Sequence, residues 1–206
     1  PEAIKKIAEK LRKSIVYENT KESKLYQEKL ATINGLRPVL KRVVATYQKE
    51  LINLPDNHPA KLEVFGNRQY NNDIIDAYQI GYAPGNKFIY NKLKEYGLVK
   101  EGEKTSLLNK GSDFYYNRVV YTIFDSNGEP VGLAGRELKE VPKVKWLNPR
   151  SNILYNKDIV WYGLHIAKAK ARTSKIMYVV EGYNDVIAFQ THGITNTVAS
   201  CGTSIS

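Results

Sequence analysis

Cysteine is almost absent from this sequence: Cys201 stands alone among 206 residues. One thiol excludes an internal disulfide and a cysteine zinc site, and with them disulfide-stapled domains and zinc ribbons. Histidine is scarce as well, and His58, His165 and His192 have no metal-ligand spacing. No apolar run reaches the roughly 18 residues that a membrane-crossing helix requires, and no apolar signal segment opens the chain. The expectation is a cytoplasmic protein with no membrane partner and no zinc. Acidic residues are also short, 21 against 31 Lys and Arg, for a net charge of +10. That balance fits either an anionic partner or a surface tuned for solubility.

What is present is a folding composition. A hydrophobic share of 42%, with 11% aromatic, excludes a disordered chain, and the length is ample for a core. Residues 1–61 carry 13 basic and 7 acidic side chains, residues 62–174 carry 17 and 12, and residues 175–206 carry 1 and 2. A basic body thus runs into a nearly neutral, apolar end that keeps Glu181 and Asp185. The first residue is Pro1 and the last are Ser204-Ile205-Ser206, so a piece of a longer polypeptide is expected.

Helical spacing dominates the start: Ile4, Ile7, Ala8 and Leu11, then Val39, Leu40, Val43, Val44, Tyr47 and Leu51, the second helix opening near Pro38. A turn-rich break follows at Leu54–Pro59, and further helices are expected from Asn72 and over 86–96, the latter with Ile89, Leu93 and Tyr96 on one face. The period then changes. Residues 118–123 are β-rich, Asn127-Gly128 is a hairpin turn, and 131–138 return as the second strand. Gly132 and Gly135 inside that strand suggest a bulge or a close backbone approach to a ligand. A helix is expected over 164–172. Ile176–Val180 reads as a strand buried on both faces, Glu181–Asn184 as a turn, 185–192 as a helix ended by Gly193, and 197–200 as a second strand. The fold class is α+β: a helical segment (1–54), a basic subdomain with a β-hairpin (55–174), and the first β-α-β unit of an α/β domain (175–206). In such a unit Glu181 and Gly202-Thr203 share the carboxyl edge of the sheet, where ligands of open α/β sheets bind.

A glutamate at the end of an apolar strand has three available roles. It can help hold a hard cation such as Mg²⁺, act as general base on a hydroxyl, or cap the following helix. Asp185 suits the capping role best, at the start of its helix.

Glu181-Gly182-Tyr183-Asn184-Asp185-Val186, with Ala199-Ser200-Cys201-Gly202-Thr203 downstream, resembles the opening of the Toprim domain in bacterial, DnaG-like DNA primases. There the pattern is Glu-Gly-Tyr-Met-Asp-Val, then Ala-Ser-Leu-Gly-Thr. The resemblance continues upstream in order. Arg118–Ile123 is similar to the family's Arg-Ile-Met-Phe-Pro-Ile, and Gly132–Arg136 to Gly-Phe-Gly-Gly-Arg. Lys145–Asn148, Leu154–Lys157 and Tyr162-Gly163-Leu164 resemble Lys-Tyr-Leu-Asn, Leu-Phe-x-Lys and Leu-Tyr-Gly-Leu. Ile80–Pro84 matches a further pentad, and Arg68 fits loosely. Asn184 replaces the usual methionine, Thr122 a proline, Ala134 a glycine, and 149–152 a Ser-Pro-Glu-Thr stretch, which marks a divergent member.

The resemblance implies template-directed RNA primer synthesis by metal-dependent nucleotidyl transfer. It implies Glu181 as the catalytic and metal residue, with Asp185 a possible second ligand, and Mg²⁺ or Mn²⁺ as cofactor. Arg118, Arg136, Lys145 and Lys157 would form a ridge gripping template and triphosphate phosphates, with Asn148 donating to a phosphate or sugar. The implied partners are single-stranded DNA template, ribonucleoside triphosphates, and a replicative helicase reached through a missing carboxy-terminal domain. A later Asp-x-Asp pair of the family is also beyond these residues, so this piece alone is expected to be inactive. The competing reading is a non-catalytic module that binds single-stranded nucleic acid with its cations and some of its 15 tyrosines. A Toprim nuclease or topoisomerase fits the upstream basic motifs less well.

Overall fold

The computed structural model describes residues 7, 8, 10–12, 21–139 and 144–201. Ile4 and Gly202-Thr203, all used in the sequence reading, lie outside them. The chain divides into two units, Pro1–Asn34 and Gly35–Ser206. In the first unit Ile7 and Ala8 are helical, and the Leu11 N–H donates to the Ile7 carbonyl at 2.9 Å.

Helix α1 is Lys21–Asn53, and Pro38 lies inside it. The expected helix start at Pro38 is therefore incorrect. A proline inside a helix withholds one N–H and costs about 3 kcal/mol, so burial must offset it. Leu36, Leu40, Val43, Tyr47 and Leu51 supply that burial at spacings of three and four, all at 2% exposure or less. A short helix α2 (Pro59–Lys61) runs into a π-helical turn at Leu62–Asn67, followed by α3 (Asn72–Tyr78). Strand β1 (Gly81–Ala83), α4 (Phe88–Glu95), α5 (Val99–Lys104) and the small pair β2 (Leu108–Asn109) and β3 (Ser112–Asp113) lead to the hairpin. On α4, Ile89 and Leu93 are buried, but Tyr96 is 62% exposed beneath the Arg42 guanidinium. Tyr96 does not join the expected face because α4 ends one residue before it.

Strands β4 (Arg118–Phe124) and β5 (Pro130–Glu137) pair antiparallel in a sheet of order β1-β4-β5-β6, where β6 is Trp146–Leu147. Every residue of β4 is buried, because both faces of the sheet are covered. Val120 and Leu133 pack with Val43, Val44 and Tyr47 of α1, whereas Val119, Tyr121 and Ile123 pack with Tyr183, Val186 and Ile187. The bulge falls at Ile123/Phe124, not at the strand glycines. The close approach at those glycines is to the protein's own side chains. A Cβ on Gly135 would lie 2.6 Å from Tyr115 Cδ1 and 2.9 Å from Arg118 Cδ, and one on Gly132 would lie 3.0 Å from Pro149 Cγ.

The remaining elements are β7 (Trp161–Tyr162), α6 (Leu164–Ser174), β8 (Tyr178–Val180), α7 (Tyr183–Thr191) and β9 (Thr197–Ser200). Strands β8 and β9 are parallel and joined by α7, the expected β-α-β unit, while β7 adds antiparallel to the other side of β9. The sheet order β7-β9-β8 leaves β8 at an edge, and its Tyr178 and Val179 are 46% and 48% exposed. The expectation of burial on both faces is thus corrected: an apolar run needs covering layers, and the described residues do not supply them here. No helix among the described residues is long and apolar enough to cross a membrane.

His165 on α6 lies tilted against Phe124 at 4.4 Å between ring centroids, and its buried Nδ1 has no hydrogen-bond partner among the described residues. Burial first, then the Lys168 charge, push its pKa down to about 4. An unfolded histidine titrates near 6.5. Its stabilising contribution is therefore complete above about pH 6.5 and is lost as pH falls toward 4, by up to about 3 kcal/mol. Melting curves from pH 7 to 4 should fall accordingly, and His165→Gln should flatten the fall; an unchanged slope would rule this group out as the cause.

Candidate functional site: a basic cleft beside a strand-end carboxylate

Four separate segments converge on one polar cleft of about 310 Å³. Arg68 after the π-turn, Arg136 on β5, Lys145 and Trp146 at β6, and the run Glu181–Asp185 between β8 and α7 line it. Glu181 is exposed at the carboxyl end of β8, the edge that the β-α-β topology predicts. Asp185 is in the first turn of α7, where its Oδ2 accepts from the Gly182 N–H at 3.0 Å. That bond is the helix-start role read from its position. The helix itself begins at Tyr183, two residues earlier than expected.

The run is anchored from below by phenols. The Tyr183 hydroxyl donates to Asn148 Oδ1 at 2.8 Å, and the Tyr70 hydroxyl donates to Asn184 Oδ1 at 3.0 Å. Burial pushes the Tyr70 pKa up to about 12, and burial likewise drives Tyr183 up, so both stay protonated donors near neutral pH. Tyr183 is also packed edge-on against Trp146 and Tyr162, at 4.9 and 4.5 Å between ring centroids.

Arg136 extends over the Trp146 ring at 5.7 Å and donates Nε–H to Glu63 Oε1 at 2.9 Å. Arg68 donates to the same oxygen at 2.9 Å. Burial alone would raise the Glu63 pKa. Hydrogen bonds from Asn67 and Arg68 and the charges of both arginines outweigh it, and the carboxyl titrates below its ordinary value. Lys145 is exposed at the cleft.

Two of the expected cations lie elsewhere. Lys157 sits in an exposed turn and does not line the cleft. Arg118 is 8% exposed, its guanidinium bonded at 3.1 Å to each of the Gly135 carbonyl, the Val144 carbonyl and Glu137 Oε2. The cross-strand register Arg118↔Glu137 accounts for this, since it sets opposite charges side by side at the end of the hairpin. Arg68, which fits the family pattern only loosely, lines the cleft, and its partner Glu63 is a residue that the sequence did not single out. Their separation of five residues is not a helical ion-pair spacing, so periodicity gave no signal.

Among the described residues no group of three or more His, Cys, Asp or Glu side chains could hold a metal ion. The cleft's donor set is two carboxylates, Glu181 and Asp185, which suits a hard cation that keeps water or phosphate oxygens for its other positions. A larger hollow of about 410 Å³, lined by Ile52, Leu62 and Phe65 with the paired Asp56 and Lys61, is mostly apolar and holds none of the expected site residues.

The family described as DNA primase catalytic core, N-terminal domain, matches residues 47–168, and the Toprim domain matches residues 175–206. This chain belongs to the DNA primase catalytic-core family. It is 34% identical over 185 residues to the DNA primase of Legionella pneumophila, an overlap of 87% of this chain and 31% of that protein. Its fold matches the RNA polymerase domain of Mycobacterium tuberculosis primase DnaG, solved with double-stranded DNA, at a TM-score of 0.76 and 28% identity, over 83% of this chain and 56% of that one. It also matches a DnaG primase catalytic domain bound to single-stranded DNA, at a TM-score of 0.72 and 28% identity, over 85% and 58% of the two chains. The chain spans about a third of the length of the curated primases it matches. Within the primase core, the hairpin presents Arg136 and the Toprim opening presents Glu181, so the cleft is lined from both matched segments.

Proposed function

We propose that this chain is part of the catalytic core of a DNA primase that makes short RNA primers on single-stranded DNA. The observation that carries the reading is the cleft itself, where a strand-end carboxylate, Glu181, shares one hollow with Arg68, Arg136 and Lys145. In the reaction a ribonucleotide 3′-hydroxyl oxygen bonds to the α-phosphorus of a ribonucleoside triphosphate. The α–β bridging bond breaks, and pyrophosphate leaves with its electron pair. Arg136 offers a planar fork to phosphate and Lys145 a point charge, and together they offset the charge that builds on the transferring group. Glu181 serves as general base for the hydroxyl proton or as a ligand, with Asp185, to Mg²⁺ or Mn²⁺. When bound, that cation supplies Lewis acidity at phosphate oxygens. Asn148, held by Tyr183, stands ready to donate its amide, and Lys157, outside the cleft, extends the set that the family resemblance implies, whereas Arg118 serves the hairpin through Glu137 and does not grip phosphate.

The template reading draws on the DnaG catalytic domain solved with single-stranded DNA. A replicative helicase, met through a further domain of the parent protein, is the partner the resemblance adds. Salt dependence tests the cationic surface. If three to five phosphates are neutralised, log affinity for a single-stranded oligonucleotide should fall with log salt at a slope of roughly −2 to −3.5. Arg136→Ala should weaken binding and flatten the slope by about 0.7. Affinity indifferent to salt, or untouched by Arg136→Ala, would refute the surface.

A further inference from the structure

Two guanidiniums in the cleft share one carboxylate oxygen. Arg68 Nε and Arg136 Nε each donate to Glu63 Oε1 at 2.9 Å, while Glu63 Oε2 accepts from Asn67 Nδ2 at 3.0 Å. On an α-helix, a glutamate and an arginine five residues apart point in different directions. The π-helical turn at 62–67 removes that obstacle. Its wide ring, closed by the Arg68 N–H on the Glu63 carbonyl at 3.0 Å, brings residue 68 back over residue 63. The backbone irregularity thus has a definite product: one carboxylate gripping an arginine from its own segment and another from β5.

The grip is selective within each guanidinium. Both arginines spend Nε on Glu63, and among the described residues no other hydrogen bond engages either guanidinium. The terminal nitrogens, the pair that meets two oxygens of one phosphate, stay available in a cleft that both residues line. By charge alone Glu63 is unwelcome here, since an anion beside an anion-binding cleft repels the ligand.

We propose that Glu63 is a positioning residue, which fixes Arg68 and Arg136 as a paired fork for the triphosphate of the incoming nucleotide. This rests on the nucleotide-handling role given to the cleft above. Holding two long side chains in place beforehand removes part of the ordering cost that binding would otherwise carry.

Charge and positioning predict opposite signs. The test is equilibrium binding of mant-GTP and mant-GMP to this chain in EDTA, which keeps metal out of the readout, for Glu63→Asp, Glu63→Gln and Arg136→Ala. Glu63→Asp keeps the charge but falls one methylene short of both arginines. It should weaken mant-GTP about fivefold and shrink the mant-GTP to mant-GMP affinity ratio. Glu63→Gln should also weaken mant-GTP, although it makes the cleft more positive. A merely structural Glu63 would lower the melting temperature yet leave that ratio, measured well below melting, unchanged. Wild-type affinity in Glu63→Asp, or tighter binding in Glu63→Gln, overturns the proposal. If Arg136→Ala weakens mant-GTP while both Glu63 variants do not, only the positioning role fails. If Arg136→Ala has no effect either, the nucleotide role of the cleft fails with it.

Discussion

Glu181→Gln in the full-length parent protein is expected to abolish primer synthesis while leaving its melting curve where it was. The side chain is exposed at the end of β8, so an isosteric amide there should change stability by no more than about 0.5 kcal/mol. Loss of a general base or metal carboxylate costs two to four orders of magnitude in rate, roughly 10²–10⁴-fold. Single-stranded DNA binding should survive, because the cations of the cleft are untouched. Asp185→Asn gives the contrasting case. Its carboxylate holds the Gly182 N–H, so its loss should cost about 1 kcal/mol or less of helix-start stability, with a smaller loss of synthesis. Paired primer-synthesis assays and melting curves on both variants decide the matter. Near-normal synthesis by a normally folded Glu181→Gln protein would end the catalytic assignment.

Arg118→Ala should be the most damaging single change to the fold. Its guanidinium and Glu137 form an ion pair at 3.1 Å, with side-chain exposures of only 10% and 15%, and two backbone carbonyls accept from the same arginine at the same distance. Truncation leaves a mostly buried carboxylate and those carbonyls without their donor. Breaking such a pair costs about 3–5 kcal/mol, and a chain of this size loses roughly 2–4 °C of melting temperature per kcal/mol, so a drop on the order of 10 °C is expected. Salt-dependence curves measured below the new melting point should keep the wild-type slope. A lower slope at unchanged melting temperature would instead return Arg118 to the phosphate-gripping set.

These two arginines, 118 and 136, show what the sequence could and could not disclose. Both are strand residues of one hairpin, and the hairpin was legible: a β-branched run, a turn at Asn127-Gly128, and a returning strand. The β-α-β unit was equally plain, because an apolar run followed by Glu-Gly and a helix leaves few other options. Whether a cation faces solvent or a carboxylate is a matter of register, and a charge count carries none. Pro38 misled for a related reason, since the local rule that ends a helix was overridden by the packing of Leu36, Leu40 and Val43 around it. Arg68 entered the cleft through a π-turn, which periodicity at 3.6 residues cannot encode. The exposed β8 shows the limit from the other side: composition reports that a strand expects cover, and only tertiary neighbours decide whether it has it.

The ring packing around Trp146 gives the protein an optical consequence. The chain has two tryptophans, and Trp146 lines the cleft, lies beneath the Arg136 guanidinium, and touches Tyr183 and Tyr121 at centroid distances of 4.9 and 5.1 Å. Indole emission depends on nearby charge and on energy received from adjacent phenols. Any ligand that draws Arg136 off the ring alters the first, and any shift of the Tyr183 turn alters the second. Substituting the other tryptophan, Trp161, leaves a single native fluorophore, so occupancy of the cleft can be followed by light from the unlabelled protein.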